Sequence, residues 1–135
     1  MKKIIYIETP KGSFVKRNEN LEVDFVSPLP CPFNYGHVKG EIGGDGDPMD
    51  ALLLGKRRMQ GAEIVATLVG CVRFLDKGLP DDKWIFCVSD SPSAFDKWKI
   101  KHFFQIYAQV KRISTRSTDR SCQTELLSIE YYRAL

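Results

Sequence analysis

The chain has 135 residues, 43% of them hydrophobic and 27% charged, which fits one ordinary globular domain over residues 1–135 that buries its core without disulfides or a structural metal. Its net charge of +3, from 20 Lys and Arg against 17 Asp and Glu, is too small to indicate nucleic-acid binding. No stretch has the length of a membrane span or the pattern of a signal peptide, and the four cysteines show no metal or CxxC spacing, so we expect a cytoplasmic protein without a membrane partner.

The N-terminal part of the chain predicts short β-strands. A β-branched run over residues 4–8 predicts the first strand, which ends before Pro10. Residues 13–17 and 21–26 predict a hairpin, because the Asn-Glu-Asn sequence between them is typical of a tight turn.

Two segments rich in proline or glycine predict loops. Residues 27–32 contain three prolines, which exclude a helix or a central strand. We expect an extended loop there that positions the Phe-Asn-Tyr-Gly sequence at 33–36. Residues 41–50 contain four glycines or prolines and predict an irregular, tightly turning loop.

Three apolar runs after these loops predict further strands. The strongest signal covers residues 62–75, which are rich in Val and Ile, and Gly70 within it indicates a bulge. Residues 51–54 form a shorter run before it. A turn over residues 76–82 then leads to a last predicted strand over residues 84–88.

The last third of the chain predicts two helices. Ser91 or Ser93 is a suitable cap for a first helix that ends near Arg112 and carries apolar residues close to the helical period. A second helix is predicted from about residue 119 to residue 132. Short strands followed by helices indicate an α+β, mainly β fold: a small OB-like closed β-barrel with two C-terminal helices packed against it.

Three carboxylates lie in the sequence Asp45-Gly46-Asp47-Pro48-Met49-Asp50. In an extended segment Asp45 and Asp47 point to the same side, and such hard oxygen ligands suit Mg²⁺ or Mn²⁺. A calcium loop of the EF-hand type is excluded, because the fifth position is Met49 and the sixth is Asp50. Taken alone, the hexapeptide fits a metal site and a solvated acidic loop equally well.

A second acidic segment lies between the two strongest strands. Asp76 ends one predicted strand and Asp81 nearly begins the next, so a turn of this length places both carboxylates at the same barrel rim. Lys83 lies two residues after Asp81 and shares its face in an extended chain. Such a lysine forms either a salt bridge or a contact with a phosphate oxygen.

Four segments resemble the family I (soluble) inorganic pyrophosphatases, and they follow one another along the chain in the order that this family has. Asp45-Gly46-Asp47-Pro48-Met49-Asp50 is similar to that family's DGDPxD signature, and the upstream Pro32-Phe33-Asn34-Tyr35-Gly36 to its Pro-x-Asn-Tyr-Gly element. Asp76, Asp81 and Lys83 follow its D-x4-D-x-K spacing. The stretch from His102 to Tyr107 resembles part of its main helix. The resemblance covers most of the chain.

The resemblance implies hydrolysis of inorganic pyrophosphate to two phosphates by a metal-activated water. Asp47 would be the general base. The metal ligands would be Asp45, Asp50, Asp76, Asp81 and, in a looser alignment, Glu8. The residues in contact with phosphate would be Lys16, Tyr35, Lys83 and Tyr107. The implied cofactor is Mg²⁺, with Mn²⁺ as the alternative, and the implied assembly is a homo-oligomer.

Two cations of the family pattern are absent. Phe25 stands where the family has an arginine after an Asp, and Ala108 stands where it has a lysine after the helix tyrosine. Each charge-assisted hydrogen bond contributes about 1.5–3 kcal/mol, so substrate binding would weaken unless other cations replace them. Arg17, Arg73 and Lys77 are the candidate replacements.

These substitutions leave two alternatives to pyrophosphate hydrolysis. One is a divergent enzyme that hydrolyses another phosphoanhydride, such as a nucleotide. The other is a non-enzymatic relative that binds metal or phosphate on the same scaffold. Retention of Asp47 disfavours the second alternative, because a protein that only binds its ligand needs no base.

Overall fold

The structure, a computed structural model, describes residues 1–27, 29–42, 46, 48–88, 91–114 and 124–132, with the backbone alone at Asp24, Phe25 and Ser114. These residues contain nine strands and one helix. The elements are β1 (Lys2–Thr9), β2 (Val15–Arg17), β3 (Val23–Val26), β4 (Asn34–Ile42), β5 (Pro48–Leu53), β6 (Glu63–Asp76), β7 (Leu79–Pro80), β8 (Lys83–Cys87), α1 (Ala94–Ser114) and β9 (Glu125–Tyr131).

Five strands close into a barrel in the order β1-β4-β5-β8-β6, and β6 returns to pair with β1. Neighbouring strands are antiparallel except β5 and β8, which run parallel. Numbered along the chain, the barrel strands have the spatial order 1-2-3-5-4-1, so the predicted closed, OB-like barrel is confirmed. The predicted hairpin is confirmed as well, because β2 and β3 pair outside the barrel.

Two glycines permit close approaches of neighbouring strands. A Cβ atom at Gly36 would lie 1.8 Å from the carbonyl oxygen of Tyr6 on the adjacent strand β1. At Gly70 a Cβ atom would lie 2.4 Å from the carbonyl oxygen of Glu130 on β9. The predicted bulge is found here, since the register between β6 and β8 shifts between Leu68 and Gly70.

The main core lies between the barrel and α1. Phe104 of the helix stacks on Phe33, with ring centroids 5.8 Å apart, and lies 5.9 Å from Phe74 of β6. Tyr107, one turn further along, is 5.5 Å from Phe74. A second cluster fills the barrel from β1, β4, β5, β6 and β8 and consists of Ile5, Ile7, Val38, Ala51, Leu53, Ala66 and Phe86. Helix α1 is therefore fixed against the barrel by its aromatic face.

The first predicted helix is confirmed as α1. The Ser93 hydroxyl accepts a hydrogen bond from the Asp96 amide at 3.0 Å, and the Asp96 carboxylate accepts one from the Ser93 amide at 3.0 Å, which is a reciprocal N-terminal cap. No helix in the described ranges is long and apolar enough to cross a membrane.

The second predicted helix is wrong where the structure describes it. Residues 125–131 form β9, which pairs antiparallel with β6, and residues 119–123 lie outside the described ranges. Leu127, Ile129 and Tyr131 are spaced two residues apart, which fits the alternation of apolar residues in a strand as well as the helical period. The exposed edge of β6 supplies a ladder of hydrogen bonds, which a short isolated helix could not match.

The loop predicted over residues 41–50 is shorter than expected. Strand β4, which the sequence did not predict, continues to Ile42, and Ile42 pairs with Pro48 at the start of β5. Of the residues between them, the structure describes Gly46, with a φ of 86°. The Pro32-Phe33 step therefore leads directly into a barrel strand, which places Tyr35 inside the fold.

Candidate active site

A cavity of about 910 Å³ opens at one rim of the barrel, beneath the C-terminal half of α1. Its lining comes from β1, the β2–β3 hairpin, β5, the β6–β8 region and the helix. The charged lining residues are Glu8, Lys16, Glu19, Asp50, Asp76, Asp81, Asp82, Lys83 and Lys111. The cavity thus combines several carboxylates with three lysines.

A tight turn brings Asp76 and Asp81 to this rim. Lys77 and Gly78 have φ angles of 54° and 80°, and Asp76 pairs with Leu79 directly across the turn. Two consecutive residues with positive φ are typical of hairpin turns that match strand twist. The Asp81 amide then donates a hydrogen bond of 2.8 Å to the Phe74 carbonyl, which returns the chain to the rim before β8 begins.

Lys83 lies at the centre of the carboxylates. Its side chain is 1% exposed, and Nζ lies 2.9 Å from Oδ2 of Asp50 and 2.8 Å from Oδ2 of Asp81. These residues come from the adjacent strand β5 and from the loop before β8. A buried ammonium requires such partners, because an unpaired charge in the interior is strongly disfavoured.

The pKa values of these three groups follow from burial and pairing. Burial opposes the charge on Lys83, yet the two carboxylates outweigh it and raise the pKa of the lysine. Burial also opposes the charge on Asp50, but Lys83 and Lys16 together lower the pKa of Asp50. At Asp81 burial dominates over the attraction of Lys83, and the pKa of Asp81 is raised.

Glu8 reaches the cavity from β1 and is 2% exposed. Its Oε2 lies 2.6 Å from Nδ1 of His37, on the neighbouring strand β4. Burial raises the pKa of Glu8 to about 7, and the interaction with His37 partly offsets this effect. The ring of His37 stacks on Tyr6 at 5.1 Å, which fixes the imidazole beside the carboxylate.

Lys16 and Tyr35 are neighbours of each other, and both lie near Asp50. Nζ of Lys16 lies 4.5 Å from the centroid of the Tyr35 ring. Tyr35 is 2% exposed and lies outside the cavity lining, with its hydroxyl close to the carboxylate of Asp50. Burial, together with the charges of Asp50 and Asp81, raises the pKa of Tyr35 well above its usual value.

The helix contributes Tyr107 and Lys111 to the cavity. Nζ of Lys111 lies 3.3 Å from Oδ2 of Asp76 and 5.4 Å from the centroid of the Tyr107 ring. Because Tyr107 and Lys111 are four residues apart, they share one face of α1. This ion pair connects the helix to the end of β6.

The donor atoms of the cavity are of the kind that binds divalent cations. Carboxylate oxygens are the ligands that Mg²⁺ and Mn²⁺ prefer, and Oδ1 of Asp76 is buried with no hydrogen-bond partner in the part of the chain described. Within that part, no three carboxylate, imidazole or thiolate groups are close enough to hold a metal ion by themselves. Asp45 and Asp47, the predicted ligand and base, lie outside the described residues.

Most of the predicted site residues that the structure describes lie together in this cavity. Eight of the ten are described, and seven of these line the cavity, with Tyr35 beneath it. The cavity also contains residues that the sequence did not assign. Asn18 and Glu19 line it from the β2–β3 turn, and Lys111 lines it from α1. The signal for Lys111 was its position one helical turn after Tyr107; His37 had no comparable signal, because β4 was not predicted.

Comparison with known proteins identifies the family of the chain. A family model for inorganic pyrophosphatase matches residues 5–126. The chain is 31% identical over 126 residues to an inorganic pyrophosphatase of Streptomyces coelicolor. This alignment covers 79% of this chain and 77% of the relative. The chain therefore belongs to the inorganic pyrophosphatase family, a family of hydrolases.

Solved structures show the same architecture. The inorganic pyrophosphatase of Helicobacter pylori aligns with a TM-score of 0.75 at 28% identity, over 95% of this chain and 83% of that one. The inorganic pyrophosphatase of Thermus thermophilus aligns with a TM-score of 0.78 over 96% of this chain and 82% of that one. At 22% identity this second match shows the shared fold alone.

Proposed function

We propose that this chain hydrolyses inorganic pyrophosphate to two phosphates with a water molecule activated by divalent cations. The observation that carries the proposal is the cavity at the barrel rim. Its lining contains the carboxylates Glu8, Asp50, Asp76 and Asp81 together with Lys83, Lys16 and Tyr107, and Lys83 contacts Asp50 and Asp81 directly. A polyanionic substrate needs such a combination, with carboxylates to hold cations and lysines to contact phosphate oxygens.

In this proposal one group of cavity residues would activate the attacking water, and another would hold the substrate. In this proposal Asp50, Asp76, Asp81 and Glu8, with Asp45, would hold the metal ions. When bound, these ions would neutralise the substrate and lower the pKa of water from its bulk value of about 15.7. Asp47 would accept the proton from the attacking water.

The phosphate groups would be held by cations and hydroxyls. Lys83 and Lys16 would donate to phosphate oxygens, and so would the hydroxyls of Tyr35 and Tyr107. The Tyr35 hydroxyl is buried beside the Asp50 carboxylate, which supports a contact with a phosphate group held near that residue. Because Lys83 is held between two carboxylates, its position is fixed before substrate arrives, which favours catalysis by positioning.

The test is phosphate release from pyrophosphate with and without Mg²⁺. We expect release that depends on Mg²⁺ and falls by at least about a hundredfold in Asp47→Asn, which removes the base but keeps the shape of the side chain. The matched control is Asp96→Asn, at the far end of α1. No release above the Asp47→Asn background would refute the proposal.

The same experiment separates the two alternatives. Faster turnover of a nucleotide than of pyrophosphate would indicate the divergent phosphoanhydride hydrolase. Stabilisation by Mg²⁺ without hydrolysis of any compound would indicate a binding protein. Retention of Asp47 in the sequence disfavours the binding protein, because a protein that only binds its ligand needs no base.

We also propose the finer properties that accompany this activity. Mg²⁺ would be the working ion, with Mn²⁺ as the alternative, in one pyrophosphatase-like domain over residues 1–135 that acts in phosphate metabolism in the cytoplasm. The buried free thiols of Cys31, Cys71 and Cys87 fit a reducing compartment. The exposed aromatics Phe95 and Trp98 support a homo-oligomer, and we propose no nucleic-acid or membrane partner.

A further inference from the structure

We propose that Lys111 binds a phosphate oxygen of the substrate and replaces the cation that Ala108 cannot supply. This inference rests on the proposed function, since it assigns a residue to the substrate side of the same cavity. It concerns the helix, where the family pattern would place a lysine directly after Tyr107.

Position 108 cannot provide a cation to the cavity in this chain. Ala108 is 2% exposed and packs in the core between α1 and the barrel. Lys111 is the next basic residue along α1, and it lines the cavity four residues after Tyr107. Residues four apart on a helix are neighbours on one face, so a side chain at 111 reaches the region above the Tyr107 ring.

The other candidate replacements are engaged or placed elsewhere. Arg73 donates to Asp82 at 2.8 Å and to Glu130 at 2.5 Å, so its guanidinium already has two carboxylate partners. Arg17 donates to the carbonyl of Leu21 at 3.0 Å within the β2–β3 hairpin. Neither arginine lines the cavity, and Lys77 does not line it either.

The geometry of Lys111 allows it to exchange partners. Its contact with Asp76 is 3.3 Å long, and the two side chains are 21% and 24% exposed. Lys83, in contrast, is enclosed by contacts of 2.9 and 2.8 Å. A partly exposed ammonium loses less on changing partners than one enclosed in the interior. Lys111 is thus the more adaptable cation of the two.

The charge of the cavity makes this exchange useful. Six acidic side chains and three lysines line it, so a pyrophosphate anion meets an excess of negative charge. If Asp76 holds a metal ion, its carboxylate no longer needs Lys111 for neutralisation. Lys111 can then turn to the incoming phosphate while it remains above the Tyr107 ring.

The test compares Lys111→Met with Arg112→Met. Both substitutions remove one positive charge from the last turn of α1, where basic residues favour the helix, but Arg112 does not line the cavity. The measurement is calorimetric binding of methylenediphosphonate, a non-hydrolysable diphosphonate, in the presence of Mg²⁺. We expect Lys111→Met to raise its dissociation constant by about 10- to 100-fold and Arg112→Met to change it less than about threefold.

Two further measurements distinguish substrate binding from a structural role. Lys111→Arg should restore diphosphonate binding to within about fivefold of the unchanged protein, because it keeps the charge. Binding of Mg²⁺ alone should change less than about threefold in Lys111→Met. An equal effect of Lys111→Met and Arg112→Met on diphosphonate binding would overturn the proposal, and so would a loss that Lys111→Arg does not restore.

The diphosphonate experiment also stands apart from the assay of pyrophosphate hydrolysis. If the unchanged protein hydrolyses no pyrophosphate but binds the diphosphonate through Lys111, the proposed function fails and this inference holds. If hydrolysis occurs and the Michaelis constant for pyrophosphate is the same in Lys111→Met and Arg112→Met, the proposed function holds and this inference fails.

Discussion

Glu8 and His37 form a buried carboxylate–imidazole pair across β1 and β4, with 2.6 Å between Oε2 and Nδ1. The pair depends on the register that places Tyr6 opposite His37, since Glu8 follows Tyr6 by two residues and therefore shares its face of β1. Burial raises the pKa of Glu8 to about 7, although the contact with His37 opposes this rise, so the charge of Glu8 changes near neutral pH.

The raised pKa of Glu8 predicts a pH dependence of stability in the metal-free protein. Folded Glu8 keeps its proton up to about pH 7, whereas unfolded Glu8 releases it near 4.5, so its contribution is complete below pH 4.5 and is lost as pH rises through 7. Between these limits the free energy of unfolding should fall by about 3 kcal/mol relative to Glu8→Gln. Urea unfolding of both proteins in EDTA measures this difference, and parallel pH profiles would contradict it.

The contacts of Lys83 predict a large cost for its removal. Lys83→Met leaves the partly buried carboxylates of Asp50 and Asp81 without their shared cation, which should lower the free energy of unfolding by about 3 kcal/mol, the lower end of the range for buried pairs. Lys99→Met is the control, because Lys99 is partly exposed and lies 3.8 Å from a single carboxylate, Asp96, in an i,i+3 pair on α1. That change should cost less than about 1 kcal/mol. Denaturant unfolding at pH 7 compares the two, and equal costs would contradict the assigned role of Lys83.

The proposed metal site predicts stabilisation by Mg²⁺ that depends on Asp76. At a Mg²⁺ concentration of about 100 times the dissociation constant, the protein should gain about 2.7 kcal/mol in free energy of unfolding. Asp76→Asn should lose most of this gain, because its carboxylate oxygens would contact the ion. Asp96→Asn, which weakens the cap of α1, should keep the full Mg²⁺ effect. Thermal unfolding with Mg²⁺ or EDTA checks this, and a retained gain in Asp76→Asn would exclude that carboxylate as a ligand.

The close approach at Gly36 predicts that alanine is not tolerated there. A Cβ atom 1.8 Å from the Tyr6 carbonyl oxygen would force β1 and β4 apart and break the register that pairs Glu8 with His37. We expect Gly36→Ala to lower the free energy of unfolding by more than about 3 kcal/mol. Gly40→Ala, in open space on the same strand but with a φ of 80°, should cost about 1 kcal/mol for backbone strain alone. Circular dichroism during urea unfolding measures both changes.

Local patterns in the sequence predicted much of the fold. The β-branched runs of β1 and β6, the turn chemistry of the β2–β3 hairpin and the Ser93 cap of α1 are all decided by neighbouring residues. Strand β9 could not be predicted in this way. Its conformation depends on the edge of β6, about fifty residues earlier in the chain, and tertiary pairing of this kind overrides local propensity.

The same distinction applies to the cavity. Asp76, Asp81 and Lys83 follow each other closely in sequence, so a short turn suffices to predict that they meet. His37 and Lys111 enter through the pairing of β1 with β4 and the packing of α1 on Phe74, which no local pattern encodes. Asp45 and Asp47 lie outside the described residues, so their predicted roles stay predictions.

Strand β6 has a consequence for how the chain folds. It pairs with β1 near its start and with β8, β7 and β9 along the rest of its length, so barrel closure joins residues as far apart as Lys2 and Thr67. Chain closures over such separations lose entropy before the contacts compensate, which slows folding compared with helical domains of this size. Because β6 pairs with neighbours along both of its edges, the amide protons in the middle of this strand should be among the last to exchange with solvent.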